Sequence, residues 1–130
     1  MTRVMARIAR TVPRGKRKPN LRRAAEHLEF VRALEVCMAC GRRGRCQAMH
    51  IRNKTDGGVG LKPSDKFCVP GCLECHARQH RCGEITFWGE KGIDPLDAAS
   101  RLWTVSGDLA AGRRIVFRAL QSIALHKEGR

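Results

Sequence analysis

Four cysteines and three histidines in the middle of the chain have the residue types and spacings of metal chemistry. Cys37-Met-Ala-Cys40 and Cys72-Leu-Glu-Cys75 are two Cys-x-x-Cys pairs, and four thiolates so paired fill a tetrahedral zinc site with no open position for a substrate. Such a closed set is a structural staple. The 31 residues between Cys40 and Cys72 exceed the spacing of a simple zinc ribbon, so the insert must fold in its own right. Cys46, Cys68 and Cys82 are the alternatives for any one of the four ligands, and plain burial of the thiols is the remaining reading.

The histidines are spaced for something else. His50 lies in the insert, and His76 and His80 follow the second cysteine pair at i and i+4, one turn apart on one face of a helix. Two imidazoles at that spacing can share a divalent cation. Cys75 lies about 100° around the axis from His76, so one helix can hold zinc on one side and offer two imidazoles on the other. The competing assignment moves one of these histidines onto the structural zinc in place of a cysteine.

Several elements must position these groups. Asn20 is a candidate N-cap, and Leu21, Ala25, Leu28, Val31 and Leu34 follow at helical spacing, which predicts a helix over 21–35 packing on the metal-bound unit. Gln47–Ile51 alternates, with Met49 and Ile51 on one side and Ala48 and His50 on the other, the pattern of a short strand. Residues 52–66, with Gly57, Gly58, Gly60, Pro63 and Asp65, form a loop too long for a tight hairpin. Phe67-Cys68-Val69 is the expected return strand, Pro70-Gly71 the turn into the second cysteine pair, and a helix is expected to begin near Cys72 or Leu73. Asp94-Pro95 marks another helix start, with Leu96, Ala99, Leu102 and Trp103 as its stripe. A last amphipathic helix spans Asp108 to His126.

Composition bounds the partners. The 130 residues carry a formal net charge of +14 with a pI near 10.6, which points to nucleic acid. Residues 1–20 hold Arg3, Arg7, Arg10, Arg14, Lys16, Arg17 and Lys18 and no acidic residue. They read as a basic flexible arm able to bind phosphates, with a merely solvated tail as the competing reading. Proline and glycine at Pro13, Gly15 and Pro19 break this stretch, which argues against a basic membrane-surface helix. The absence of a signal-peptide pattern or long apolar run, together with an odd count of seven cysteines, predicts a cytoplasmic protein with metal-bound or buried thiols rather than disulfides. Aromatic content of 5% leaves little large apolar area, so a metal staple would help hold the fold.

Cys37–Cys40, Gln47–Arg52, Gly60-Leu-Lys-Pro-Ser-Asp65, Val69–His80 and Phe87–Pro95 together resemble the HNH, or ββα-metal, nucleases, over about residues 30–104. The chain looks most like the compact zinc-stapled HNH proteins of phages and prophages. The resemblance implies an α+β fold: a small ββα-metal, treble-clef-like zinc-bound core with flanking α-helices. The chain would then divide into the arm (1–20), a nuclease domain with its packing helix (21–104) and a C-terminal helix (105–130).

It also implies roles. His50 matches the general base, Asp65 the residue that orients the base or its loop, and His76 the final metal-binding position, with His80 joining it. Zn2+ would be structural, and Mg2+ or another divalent cation catalytic. DNA would be the substrate, with RNA left open, and Arg52, Lys54 and Lys62 would hold flanking phosphates alongside Arg14, Lys16, Arg17 and Lys18 of the arm. Met49 stands where many members place an acidic residue or a second histidine. A thioether is a poor ligand for a hard cation, so this cation would have two protein ligands unless Asp65 or another group contributes. The alternative is a non-catalytic zinc-dependent nucleic-acid-binding module with a degenerate site. A zinc-stapled protein-interaction domain is a third class, against which the positive charge argues.

Overall fold

The computed structural model describes residues 23–58 and 60–128. The basic arm, with Arg14, Lys16, Arg17 and Lys18, and the expected N-cap Asn20 lie outside the described residues. The architecture is α+β, with one two-stranded antiparallel sheet and five helices among the described residues. In chain order these are α1 (Ala25–Ala33), β1 (Gln47–His50), β2 (Cys68–Gly71), α2 (Leu73–Cys82), α3 (Glu84–Lys91), α4 (Pro95–Thr104) and α5 (Leu109–Glu128).

Helix α1 starts later than its apolar spacing predicts. Ala24 is extended, at φ −139° and ψ 82°, because its N–H donates to Asp65 Oδ2 at 2.7 Å. The preceding Arg23 donates to Pro63 O and Asp65 Oδ1. These tertiary bonds hold the chain out of the helix, and the buried face turns to His27, Phe30 and Val31 while Ala25 is exposed. At the other end the Arg113 side chain donates to the carbonyls of Leu34 and Ala33, each at 3.1 Å, satisfying acceptors that a helix C-terminus leaves orphaned.

β1 and β2 pair in register from Gln47↔Gly71 to His50↔Cys68. The alternation of β1 is as expected: Met49 and Ile51 are buried, while Ala48 and His50 are partly exposed. Pro70 and Gly71, expected as a turn, instead continue β2. The sheet ends there, so proline's missing N–H breaks no ladder on a further strand, and Pro70 O accepts from Met38 N at 3.0 Å. A Cβ on Gly71 would overlap the Met49 side chain, so this strand position needs glycine for packing.

The sharp start of α2 follows from Cys72, whose extended backbone and sulfur cap the helix by accepting from Cys75 N. α3, whose sequence is only partly apolar, ends on Gly92 in the left-handed conformation. Asp94 caps α4 by accepting from Leu96 N and Asp97 N, with Pro95 opening the helix. The core is one cluster running from Phe30, Val31 and Leu34 through Met49, Ile51 and Val69 to Phe87, Leu102 and Val116. Each large apolar side chain fully buried there contributes roughly 1.5–3 kcal/mol. No helix among the described residues is long and apolar enough to cross a membrane.

Candidate metal centre and histidine cleft

The two cysteine pairs reach one point from two directions. Cys37 and Cys40 sit in a tight turn closed by Gly41 N donating to Cys37 O at 2.8 Å, with Gly41 at φ +80°. Cys72 and Cys75 sit at the N-terminus of α2. The Sγ atoms of Cys37, Cys40, Cys72 and Cys75 all lie within 4.8 Å of one another. Ala39 N donates to Cys37 Sγ and Cys75 N to Cys72 Sγ, both at 3.4 Å, so backbone dipoles are aimed at the sulfurs.

The electrostatics fit a cation between them. Burial, then the neighbouring Cys37 and the other thiols, pushes the Cys75 thiol well up. At Cys72 burial acts in the same direction, but hydrogen bonds from Cys75 and the neighbouring cysteines outweigh it and the thiol is lowered. Four thiolates cannot share this volume without a compensating positive charge, and the all-sulfur donor set suits zinc. Among the described residues these are the one group of three or more Cys, His, Asp or Glu side chains whose ligand atoms cluster this way. Cys46 and Cys68 are buried and not among the four clustered sulfurs; desolvation pushes each up to about 12, helped at Cys46 by the nearby Cys37, Cys72 and Cys40.

The histidines face a separate cleft of about 930 Å3, lined by His50, His76 and His80 together with Arg32, Arg52 and Lys62 among others. His50 comes from the end of β1. Its Nε2 lies 2.9 Å from Asp65 Oδ1, and Asp65 is only 2% exposed. A buried carboxylate accepts, so Nε2 carries a proton, and in the neutral ring the lone pair is then on Nδ1. Nδ1 makes no hydrogen bond among the described residues. Burial alone would push the Asp65 carboxyl up, but the hydrogen bonds from His50 and Ala24 N and the charges of His50 and Arg23 hold it below its ordinary value.

His76 and His80 project from α2 with their rings stacked, centroids 4.9 Å apart and planes inclined by 29°. Burial, then the charges of His80 and His50, holds the His76 ring below its ordinary pKa. Its Nδ1 lies 2.6 Å from Gln47 Oε1, and the His80 ring makes no hydrogen bond among the described residues. Two imidazole nitrogens therefore remain for a divalent cation, a donor set that fits one without completing its coordination. Met49 packs in the core at 0% exposure and offers nothing to the cleft.

Of the expected phosphate contacts, Arg52 and Lys62 line this cleft and Lys54 does not. Lys54, at φ +63°, lies beside a smaller hollow with Glu84, Trp88 and Pro95. The Arg52 guanidinium donates to Gly58 O and Leu61 O, so it also staples the long loop. Glu84 accepts from the backbone N–H groups of Arg52 at 2.6 Å and Asn53 at 2.9 Å, fixing the loop's first residues to the start of α3. Sequence reasoning passed over Glu84, Gln47, Arg32 and Arg23. Each acts through a partner at least 29 positions away or through a cleft that only folding creates, so no local pattern marks them.

Comparison with protein-family models, curated proteins and solved structures returned no match.

Proposed function

We propose that this chain is a metal-dependent endonuclease or nickase of the HNH, ββα-metal type, acting on DNA, with the four-cysteine zinc site as its scaffold. The observation that carries the reading is the His50–Asp65 pair at 2.9 Å on the cleft that His76 and His80 also line. The order β1, long loop, β2, α2 supports it, with the base on the first strand, its carboxylate in the loop and the stacked histidines on the helix. The net charge of +14 supports a polyanionic substrate.

In this reading Asp65 accepts from Nε2 of His50 and fixes its tautomer. Nδ1 takes a proton from water as the oxygen attacks phosphorus in line with the departing sugar oxygen. Imidazolium formed on His50 is stabilised by the same carboxylate, as in other base–carboxylate pairs. Arg52 and Lys62 hold the strand by its phosphates. His76 and His80 would hold a divalent cation, which when bound supplies positive charge to the phosphate and the leaving oxygen. The products would be a 5′-phosphate and a 3′-hydroxyl.

A specific observation also favours a second reading, a zinc-dependent nucleic-acid-binding module that does not cut. Among the described residues no third Cys, His, Asp or Glu ligand joins His76 and His80. Plasmid relaxation separates the two. Zinc-loaded wild type and His50→Ala are compared with Mg2+, Mn2+, Ni2+ or Zn2+ supplied, and DNA binding is measured alongside. The nuclease reading expects nicked product from the wild type and a rate lower by at least about 100-fold in His50→Ala. If neither protein cuts with any metal and both bind alike, the binding module stands instead.

A further inference from the structure

Gln47 opens β1 and its side chain is exposed at the end of the strand. It nonetheless reaches across to α2, where its Oε1 lies 2.6 Å from Nδ1 of His76. An amide oxygen only accepts, so this contact requires the proton on His76 Nδ1 and leaves the lone pair on Nε2. A histidine whose one nitrogen is committed to a fixed acceptor has its ring plane and its tautomer set together. The consequence extends to His80, because its ring stacks on that of His76 at 4.9 Å between centroids. One hydrogen bond from the sheet thus orders two imidazoles on the helix.

We propose that Gln47 is the positioning residue of the histidine pair, holding His76 in the Nδ1–H form so that Nε2 is available to a divalent cation. This rests on reading His76 and His80 as a cation site. Glutamine suits the task because it accepts without adding charge. It also couples β1 to α2 near the sheet's first register pair, Gln47↔Gly71, so the strand that carries His50 also orients His76. The base and the cation ligands are then set by one rigid element rather than by two independent ones.

The test uses the full chain with its cysteine site loaded with zinc, and Mn2+ as the probe, since a hard cation does not displace zinc from thiolates. Mn2+ is titrated calorimetrically into wild type, Gln47→Ala, Gln47→Glu and His76→Ala, with zinc content and melting followed in each. Nitrogen-15 NMR reads the His76 tautomer before any Mn2+ is added. The expected result is Nδ1–H in the wild type, mixed tautomers in Gln47→Ala, and Mn2+ affinity about 10- to 100-fold weaker in Gln47→Ala. Gln47→Glu, which keeps the acceptor, should restore both, and His76→Ala should abolish uptake. Zinc content should be unchanged throughout.

Wild-type affinity in Gln47→Ala, with uptake lost in His76→Ala, would overturn the positioning role and leave the cation site standing. An Nε2–H tautomer in the wild type would overturn it as well. A wild type that takes up no Mn2+ would overturn both the positioning role and the cation site.

Discussion

Asp65 carries two loads on one carboxylate. Oδ1 faces His50 and Arg23, and Oδ2 accepts from Ala24 N, so the residue that orients the proposed base also fixes where α1 begins. Its pKa in the folded state lies below the ordinary 3.8. The sign follows: Asp65 contributes stability that is complete above about pH 4 and is lost as pH falls through the lower folded value. Melting temperature measured from pH 5 down to pH 2 should therefore fall more steeply in the wild type than in Asp65→Asn, which has no proton to take up there. Parallel curves would mean that the carboxylate's contacts contribute little. His27, buried at 2% exposure with Nε2 unpartnered, is held below its ordinary pKa chiefly by burial. It adds a second decline in stability as pH drops below about 6.5.

At the scale of elements, the approach of α5 to α1 depends on Gly112. A Cβ there would lie 2.7 Å from Leu34 Cδ2 and 2.8 Å from Phe30 Cζ, both on buried side chains with little room to retreat. Alanine normally gains about 1 kcal/mol over glycine inside a helix, but overpacking at such a contact costs roughly 1–3 kcal/mol. Gly112→Ala should therefore destabilise the protein, read as a lower midpoint in urea; a raised midpoint would show that α5 can slide away at no cost. The elements were legible in unequal measure. Met49 and Ile51 alternating with Ala48 and His50 gave β1, and Asp94-Pro95 gave the start of α4, because those signals are local. The late start of α1 and the extension of β2 through Pro70 and Gly71 were not, because Asp65 and Met38 decide them from elsewhere in the chain.

For the whole molecule, the cysteine cluster ties the turn at Cys37–Cys40 to the end of β2 and the start of α2. Structural zinc sites bind with a free energy on the order of 10 kcal/mol, comparable to the whole stability of a domain. Chelation, or Cys72→Ser, should abolish cooperative thermal unfolding and the native circular dichroism; an unchanged melting curve would remove the structural-zinc claim. This frame was the most legible feature of all, since two Cys-x-x-Cys pairs state their chemistry in their spacing. The cleft was legible only in part. His50, His76, His80, Arg52 and Lys62 do share it, but Gln47 and Glu84, which fix its parts in place, act through contacts that exist only once the chain has folded.

The proposed hydrolysis depends on an imidazole at position 50 acting as general base. The most direct measurement is single-turnover DNA cleavage by His50→Gly, with zinc content matched to wild type, in the absence and presence of added imidazole. The expected result is a rate at least about 100-fold below wild type that recovers in part, and in proportion to imidazole, because the vacated space admits a free base beside Asp65. Cleavage by His50→Gly at the wild-type rate, with or without imidazole, would contradict the assignment of His50 as the base.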